Sequence, residues 1–542
     1  MILQCSLSQN SGFSWQKIRC ASGELRYKGN EWETGKALAL WAADEGADID
    51  ALKSLLAGLS YHYAVVFQGE GVLFAAVDQL RTHPLFYYAT DDALYLTDDP
   101  YKLDQIELQQ DNIPGVAEFQ LSGYVAGGDT LDRNLKSLPA RHCLLAAADK
   151  ERTSLSIAEH LPRICGEALP VSGADTLNPM LRETGDQIFS EFCEGVHDRQ
   201  VVLPLSSGYD SRYIAAMLKR HGHNDVVTYT YGEAGGWELD KSRETAERLG
   251  FPWHFIPYDR SFWRAQYNSQ EMKAYLPFAA RHSSTPHIQD WPAVRRLKEE
   301  KWIEEDSIFL PGHTCMLTSS NRLESGLFQQ APARWAELLS RSLYRNHFML
   351  QRTRRVIDSE ELLLRRIQQA LPADMNDDPH ALLNACFNFE AEERHGKLII
   401  NSARVYEFWG HQWAMPLWDK RLIDIWARVP YEGRYSKIAF QHFLEEENYF
   451  GLFPQMPEPG IYSVARERIK QTPLLFGPLK RIKCAENRLL GYFHEHFDWY
   501  GIISYPRYVC NMGRCGNVYS LLSRLYLEYL EANKTLVTGD SS

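Results

Sequence analysis

No stretch of this chain approaches the roughly eighteen uninterrupted apolar residues that a membrane-crossing helix requires, so no membrane span is expected. Cysteine is sparse for the length: ten are scattered at positions 5, 20, 143, 165, 193, 315, 386, 484, 510 and 515. No two stand in C-x-x-C spacing, which excludes a zinc ribbon or a disulfide framework and predicts reduced thiols in the cytoplasm. The opening Met1-Ile2-Leu3-Gln4-Cys5 has neither a basic region nor a long apolar run, so no secretory signal is expected. Positive charge is in deficit, with 58 Lys and Arg against 70 Asp and Glu, which argues against general nucleic-acid binding. Two common nucleotide fingerprints are also missing. No G-x-G-x-x-G follows a strand pattern, and Gly29…Gly35-Lys36 has Ala37 where a Walker loop needs Ser or Thr for magnesium.

What is present is a long, aromatic-rich chain of 542 residues, enough for two or three domains. The first 160 residues are strand-rich. Runs at Tyr63–Phe67, Gly71–Val77 and Ala93–Leu96 are separated by acidic or glycine-containing turns. Thr82–Tyr88 reads as a further strand, anchored by Pro84. A polar stretch near Glu159–Ala174 predicts a linker. The texture then changes to alternating elements: a helix ending near Gly222, a strand at Val226–Tyr231, and a helix at Glu238–Leu249 closed by Gly250. Strands at Trp253–Pro257 and Ser307–Leu310 follow. That rhythm predicts a doubly wound parallel sheet with ligands at the carboxyl ends of its strands. Residues 330–535 read as largely helical. The expected division is 1–165 and 170–535.

The most informative run is Val201-Val202-Leu203-Pro204-Leu205-Ser206-Ser207-Gly208-Tyr209-Asp210-Ser211-Arg212. An apolar strand stops in a small, hydroxyl-rich turn, and Ile214, Met217 and Leu218 then recur at helical spacing. Such a turn aims backbone N–H groups and a positive helix end at one spot, where an anion is favoured. Ser206, Ser207 and Ser211 add donors, Gly208 allows close approach, and Asp210 is placed to orient the loop or a metal. The plain alternative is an ordinary turn, with Asp210 as a helix N-cap.

Ser-Ser-Gly-Tyr-Asp-Ser resembles the pyrophosphate loop Ser-Gly-Gly-x-Asp-Ser of the asparagine synthetase family. Tyr229-Thr230-Tyr231-Gly232 with Trp237-Glu238 is similar to that family's second strand and adenine-side loop. Asn401–Gly410 running into Met415-Pro416-Leu417-Trp418-Asp419 resembles its Gly-x-Glu-x-x-x-Pro-x-x-Asp segment. Lys437 falls where a reactive-centre lysine is expected. The resemblance implies a pyrophosphate-loop domain of the adenine-nucleotide α-hydrolase type, with a helical C-terminal extension. It further implies ATP and Mg2+, activation of a small-molecule carboxylate as an acyl-adenylate, and displacement of AMP by ammonia or an amine. On the site, it implies pyrophosphate held by Ser206, Ser207, Gly208, Asp210 and Ser211, with Asp210 also toward the metal. Leu205, Tyr231 and Gly232 would lie by the adenine, Gly312 by the nucleotide, and Lys437 and His313 at the reacting centre. A sugar acid in surface-polysaccharide synthesis is the substrate suggested by similar relatives, and a homodimer is the expected assembly.

Before residue 165, Ala76–Leu80 with His83–Tyr87, then Glu118–Tyr124 and Leu138–Ala140, resemble the family's glutaminase half. This implies an N-terminal-nucleophile amidotransferase sandwich. That chemistry requires a cysteine directly after the initiator Met. Here Ile2 stands in that place and Cys5 lies deeper, so glutamine hydrolysis is not expected. Nitrogen would come from free ammonia, another amine or a separate glutaminase. The family's acidic Gly-Glu-Gly-Ser-Asp-Glu is replaced by Gly312-His313-Thr314-Cys315-Met316-Leu317, and Gln412 stands where Glu is usual. These departures leave a second reading open: a non-catalytic relative that binds nucleotide or a protein partner. An ion pair between Arg404 and Glu407, and core packing for the aromatics of 406–418, are the structural expectations there.

Overall fold

The computed structural model describes residues 2–8, 13–44, 46, 48–103, 106–148, 153–170, 174–317, 321, 323, 327–348, 350, 360–371, 378–454, 490–493, 497–511 and 518–537. Cys484 and Cys515 lie outside these residues. No described helix is long and apolar enough to cross a membrane.

Ten strands fall within residues 2–159: β1 Ile2–Ser6, β2 Gln16–Cys20, β3 Gly23–Gly29, β4 Tyr63–Gly69, β5 Val72–Val77, β6 Phe86–Ala89, β7 Ala93–Thr97, β8 Leu135–Ser137, β9 His142–Ala148 and β10 Thr153–Glu159. They form two sheets, of order β1-β7-β6-β8 and β10-β9-β5-β4-β3-β2. Alternation sorts their side chains. Ala64, Val66, Leu73, Ala75, Leu94 and Leu96 share one core with residues of both sheets. On the other face of the larger sheet, Leu25, Val65, Phe67 and Phe74 pack against helices α1 (Lys36–Ala43) and α2 (Ile49–Gly58). The strand expected over Thr82–Tyr88 begins only at Phe86. The Asp78 carboxylate accepts from the Leu80 and Thr82 amides, which holds the preceding residues in a turn.

Helix α3 (Ile113–Ser122) leaves this sandwich. Its Phe119 ring lies 5.9 Å from Tyr526 of the helix Val518–Val537. Helix α4 (Ala174–Gly195) leads into a five-stranded sheet: β11 Val201–Pro204, β12 Val226–Gly232, β13 Trp253–Pro257, β14 Ile308–Phe309 and β15 Gln412–Trp413. Its order is β13-β12-β11-β14-β15, and every pairing is parallel. The chain moves outward from β11 to β13 and then returns past β11 to β14. That reversal opens a crevice at the carboxyl ends of β11 and β14, the usual ligand position of an open α/β sheet.

Val201, Val202 and Leu203 are fully buried because both faces of β11 are covered. Helix α5 (Tyr209–Arg220) follows, then α6 (Trp237–Leu249) between β12 and β13. Gly250 ends α6 at φ +71°, the left-handed closure that its position predicts. The apolar stripe expected on α5 is wider than three positions: Ser211 to Leu218 are all buried. Phe189 of α4 and Phe440 with Phe443 meet Tyr213 from faces that an amphipathic helix would leave wet. Helices α7 (Arg260–Tyr267), α8 (Gln270–Ala280) and α9 (Trp291–Glu299) lie between β13 and β14. From helix α10 (Trp335–His347) onward the described residues are mainly helical, as the sequence leads one to expect. Strand β15 departs from that expectation. It is two residues long and is held by pairing with Ile308 and Phe309.

Candidate active site

A cavity of about 700 Å³ opens at the switch point. Its floor is the turn between β11 and α5. Leu205 ends the strand with its amide donating to the Tyr229 carbonyl at 2.8 Å. The serines then tie the turn to itself. The Ser206 amide donates to Ser211 Oγ at 3.1 Å, the two hydroxyls lie 3.0 Å apart, and the Gly208 amide donates to Ser206 Oγ at 3.1 Å. Ser206 and Ser211 therefore shape the loop as well as lining the cavity. Gly208 has φ −66° and ψ 154°, so its backbone does not require glycine, but a Cβ there would lie 3.1 Å from Ser206 Oγ.

Gly208 occupies the N-cap position of α5, and no side chain caps the helix. The N-cap alternative for Asp210 therefore falls, since Asp210 lies within the first helical turn. The uncapped amides and the helix dipole favour an anion in the cavity. Asp210 Oδ2 accepts from Lys437 Nζ at 2.8 Å, across 227 residues of sequence, and Oδ1 is buried without a hydrogen-bond partner.

Lys437 reaches Asp210 through an unusual backbone. Ser436 and Lys437 both have positive φ, at 52° and 61°. Consecutive left-handed non-glycine residues cost on the order of 1–3 kcal/mol each. Asn321 offsets part of that cost: its Oδ1 accepts from the Ser436 amide at 2.7 Å and its Nδ2 donates to Ser436 Oγ at 3.0 Å. Lys437 stands behind Asp210 and is not among the residues lining the cavity.

Of the residues singled out in the sequence, Leu205, Ser206, Ser207, Gly208, Asp210, Ser211, Tyr231, Gly312 and His313 line the cavity. Gly232 does not. It is buried at the end of β12, where its carbonyl accepts from the Tyr258 amide at 2.8 Å, so it shapes the wall from behind. Tyr231 stacks on Tyr258 at 5.2 Å. Beyond it, Gly235 and Gly236 have φ of 90° and 103°, and the chain turns into α6 with Trp237 70% exposed at the rim.

Beside His313, the cavity wall carries Ser402, His287 and Asp290, which the sequence reading missed. His313 Nε2 lies 2.8 Å from Ser402 Oγ, and burial pushes His313 down to about 4, so it is a neutral imidazole. His287 is pushed down to about 4 by burial and by His313, and its Nδ1 has no partner. Asp290, at the N-terminus of α9, accepts from Tyr229 of β12 at 3.0 Å on each carboxylate oxygen. It also accepts from Tyr406 at 2.6 Å. Burial raises its pKa to about 6, against the hydrogen bonds of the two tyrosines. Nothing in the local sequence marks it, because its partners lie 61 and 116 residues away.

The Arg404–Glu407 ion pair forms as expected, at 2.7 Å and fully buried. Of the aromatics between 406 and 418, Trp413 and Trp418 belong to the core, while Tyr406 also lines the cavity. Cys5 sits within β1 opposite Leu96, and burial pushes its thiol up to about 12. A half-buried thiol with its pKa raised in this way is a poor nucleophile.

Residues 194–446 match the family model described as asparagine synthase. The matched span runs from the end of α4 through the loop, the five-stranded sheet and Lys437. The chain is also 32% identical over 80 residues to a tRNA-specific 2-thiouridylase MnmA of Bartonella tribocorum, covering 12% of this chain and 20% of that protein. A second MnmA, from Beijerinckia indica, is 35% identical over 77 residues, covering 12% and 18%. The chain thus spans about a fifth of the length of these curated relatives. Among solved structures, glutamine phosphoribosylpyrophosphate amidotransferase from B. subtilis, complexed with ADP and GMP, is 12% identical. It covers 44% of this chain and 72% of its own at a TM-score of 0.19, too slight to carry an argument.

Proposed function

We propose that this chain is an ATP-dependent ligase of the asparagine synthase type, joining a small-molecule carboxylate to ammonia or an amine with release of pyrophosphate and AMP. The observation that carries this reading is the Asp210–Lys437 pair at the uncapped N-terminus of α5, within the span that matches the asparagine synthase model. The α5 amides and the loop hydroxyls receive the phosphates of ATP. Leu205 and Tyr231 flank the adenine. Lys437, which stands outside the cavity lining, acts through Asp210, fixing the carboxylate that lines the phosphate end of the site. His313 is neutral, so its role is hydrogen bonding at the reacting carboxyl and not charge neutralisation.

Asp210 fits Mg2+ as an ion carried in largely on phosphate oxygens, since its Oδ1 has no protein partner. Among the described residues, no group of three or more His, Cys, Asp or Glu side chains gathers to hold a metal. When bound, the ion neutralises charge on the phosphates. The half-buried Cys5 thiol, with its pKa pushed up, supports a nitrogen source other than this chain's own glutamine hydrolysis.

A second reading, nucleotide binding without turnover, rests on one feature: the run 314–317 is buried and carries no carboxylate. Carboxylate-dependent exchange of pyrophosphate into ATP separates the two readings. The test panel includes aspartate and sugar acids. Exchange supports the ligase. An ATP-induced rise in Tm without exchange for any acid supports the second reading.

A further inference from the structure

One wall of the cavity carries a buried carboxylate. Asp290 is 4% exposed yet lines the wall, fixed by Tyr229 from one side and Tyr406 from the other. A carboxylate has about four lone-pair sites, and the two hydroxyls leave capacity facing the cavity. His287, with Nδ1 unpartnered, lines the same cavity, and Glu233 and Glu238 stand at the rim. Among the described residues lining the cavity there is no Arg or Lys. This wall suits a cationic nitrogen and opposes a second carboxylate, because an ionised group this deeply buried is stabilised by an opposite charge.

We propose that Asp290 receives the nitrogen co-substrate in its protonated form and takes a proton from it. The acceptor is then ammonium or a protonated primary amine, not a neutral amide donor. This rests on the ligase reading above.

The step balances as follows. The ammonium N–H bond breaks and its proton passes to an Asp290 oxygen, leaving the electron pair on nitrogen. That pair forms the C–N bond at the activated carboxyl carbon. The C–O bond to AMP then breaks with its electrons going to AMP, and a second N–H proton is lost to water. With a pKa raised to about 6, Asp290 is ionised at neutral pH and closer in basicity to an amine than a surface Asp. Its tyrosine partners hold the carboxylate in place and leave the proton transfer to it.

The test is calorimetric binding at pH 8 to the full chain, with ammonium, ethanolamine and glucosamine as cationic probes and glucose and acetate as controls. At least one cationic probe should bind, neither control should bind in its place, and Asp290→Asn should weaken binding at least tenfold. Tyr406→Phe keeps the carboxylate and should change amine affinity less than threefold, which separates a charge effect from a packing effect. The ATP-induced rise in Tm should be the same in wild type and Asp290→Asn. The proposal is overturned if no cationic probe binds, if Asp290→Asn binds amines as wild type does, or if it loses the ATP effect while keeping amine binding. Absence of pyrophosphate exchange together with carboxylate-dependent amine binding would sink the ligase reading and leave the amine site standing.

Discussion

Two ion pairs in this protein use the same chemistry and serve opposite ends. Lys437–Asp210 sits at the cavity with side chains 21% and 23% exposed, one carboxylate oxygen unpartnered and the lysine held in a left-handed backbone. Glu407 is buried in the core, paired with Arg404 at 2.7 Å and Arg281 at 3.6 Å, and it accepts from Trp413 Nε1 at 3.0 Å. Burial works to raise its pKa, but Arg404, Lys28 and Arg281 hold it below the usual carboxylate range. Each keeps one carboxylate oxygen without a hydrogen-bond partner, Oε2 in Glu407 and Oδ1 in Asp210. The difference lies in access: Glu407 is enclosed in the core between two guanidiniums, whereas Asp210 lines the cavity, where a ligand can reach it.

The largest expected effect breaks the structural pair. Glu407→Ala leaves Arg404 and Arg281 buried without their carboxylate and should cost about 3–5 kcal/mol, read as a fall in the denaturant midpoint. Per folded molecule, its ATP affinity should stay near that of wild type.

Asp210→Ala should do the reverse. It should lower pyrophosphate exchange by about 10²–10³-fold with Tm shifted only slightly, measured on the same preparation.

Asp290 offers a test by pH. Its pKa is raised from 3.8 to about 6 by burial, so the folded state binds this proton more tightly than the unfolded chain does. Its contribution to stability is therefore full below about 4 and lost as pH rises through about 6. Of the titratable groups around it, burial raises Tyr229, Tyr231, Tyr258 and Tyr406 well above 10, out of this window, while His287 and His313 are pushed down to about 4, so the comparison is made from about pH 5 to about pH 7. Wild-type Tm minus Asp290→Asn Tm should fall across that range. A flat difference would remove the buried, titrating Asp290 from the account.

The smallest effect lies in the support of Lys437. Asn321→Ala removes the clamp on Ser436 and should cost about 1 kcal/mol in stability. It should also raise the KM for ATP, with Ser436→Gly restoring part of the loss because glycine accepts positive φ.

How much of this was legible depended on the range over which the signal acts. The β11 strand, the turn at 206–211 and the closure of α6 by Gly250 are local, and short-range pattern and turn chemistry locate them. Lys437 was singled out only through the family resemblance, and its pairing with Asp210 was not legible at all, since 227 residues separate the two. Strand β15 escaped because Gln412–Trp413 is too short to show alternation and exists through its neighbour β14. Asp290 escaped for the same reason at the level of side chains, its tyrosines arriving from β12 and from Arg404–Phe408. The breadth of burial on α5 could not be read either, because the aromatics that cover it come from distant helices.

The most direct test of the central claim is carboxylate-dependent exchange of labelled pyrophosphate into ATP by the full chain and by Asp210→Ala. The account predicts exchange that requires an added carboxylic acid, and its loss in Asp210→Ala with the fold intact. No exchange with any acid, together with an unchanged Tm in the presence of ATP and Mg2+, would contradict it.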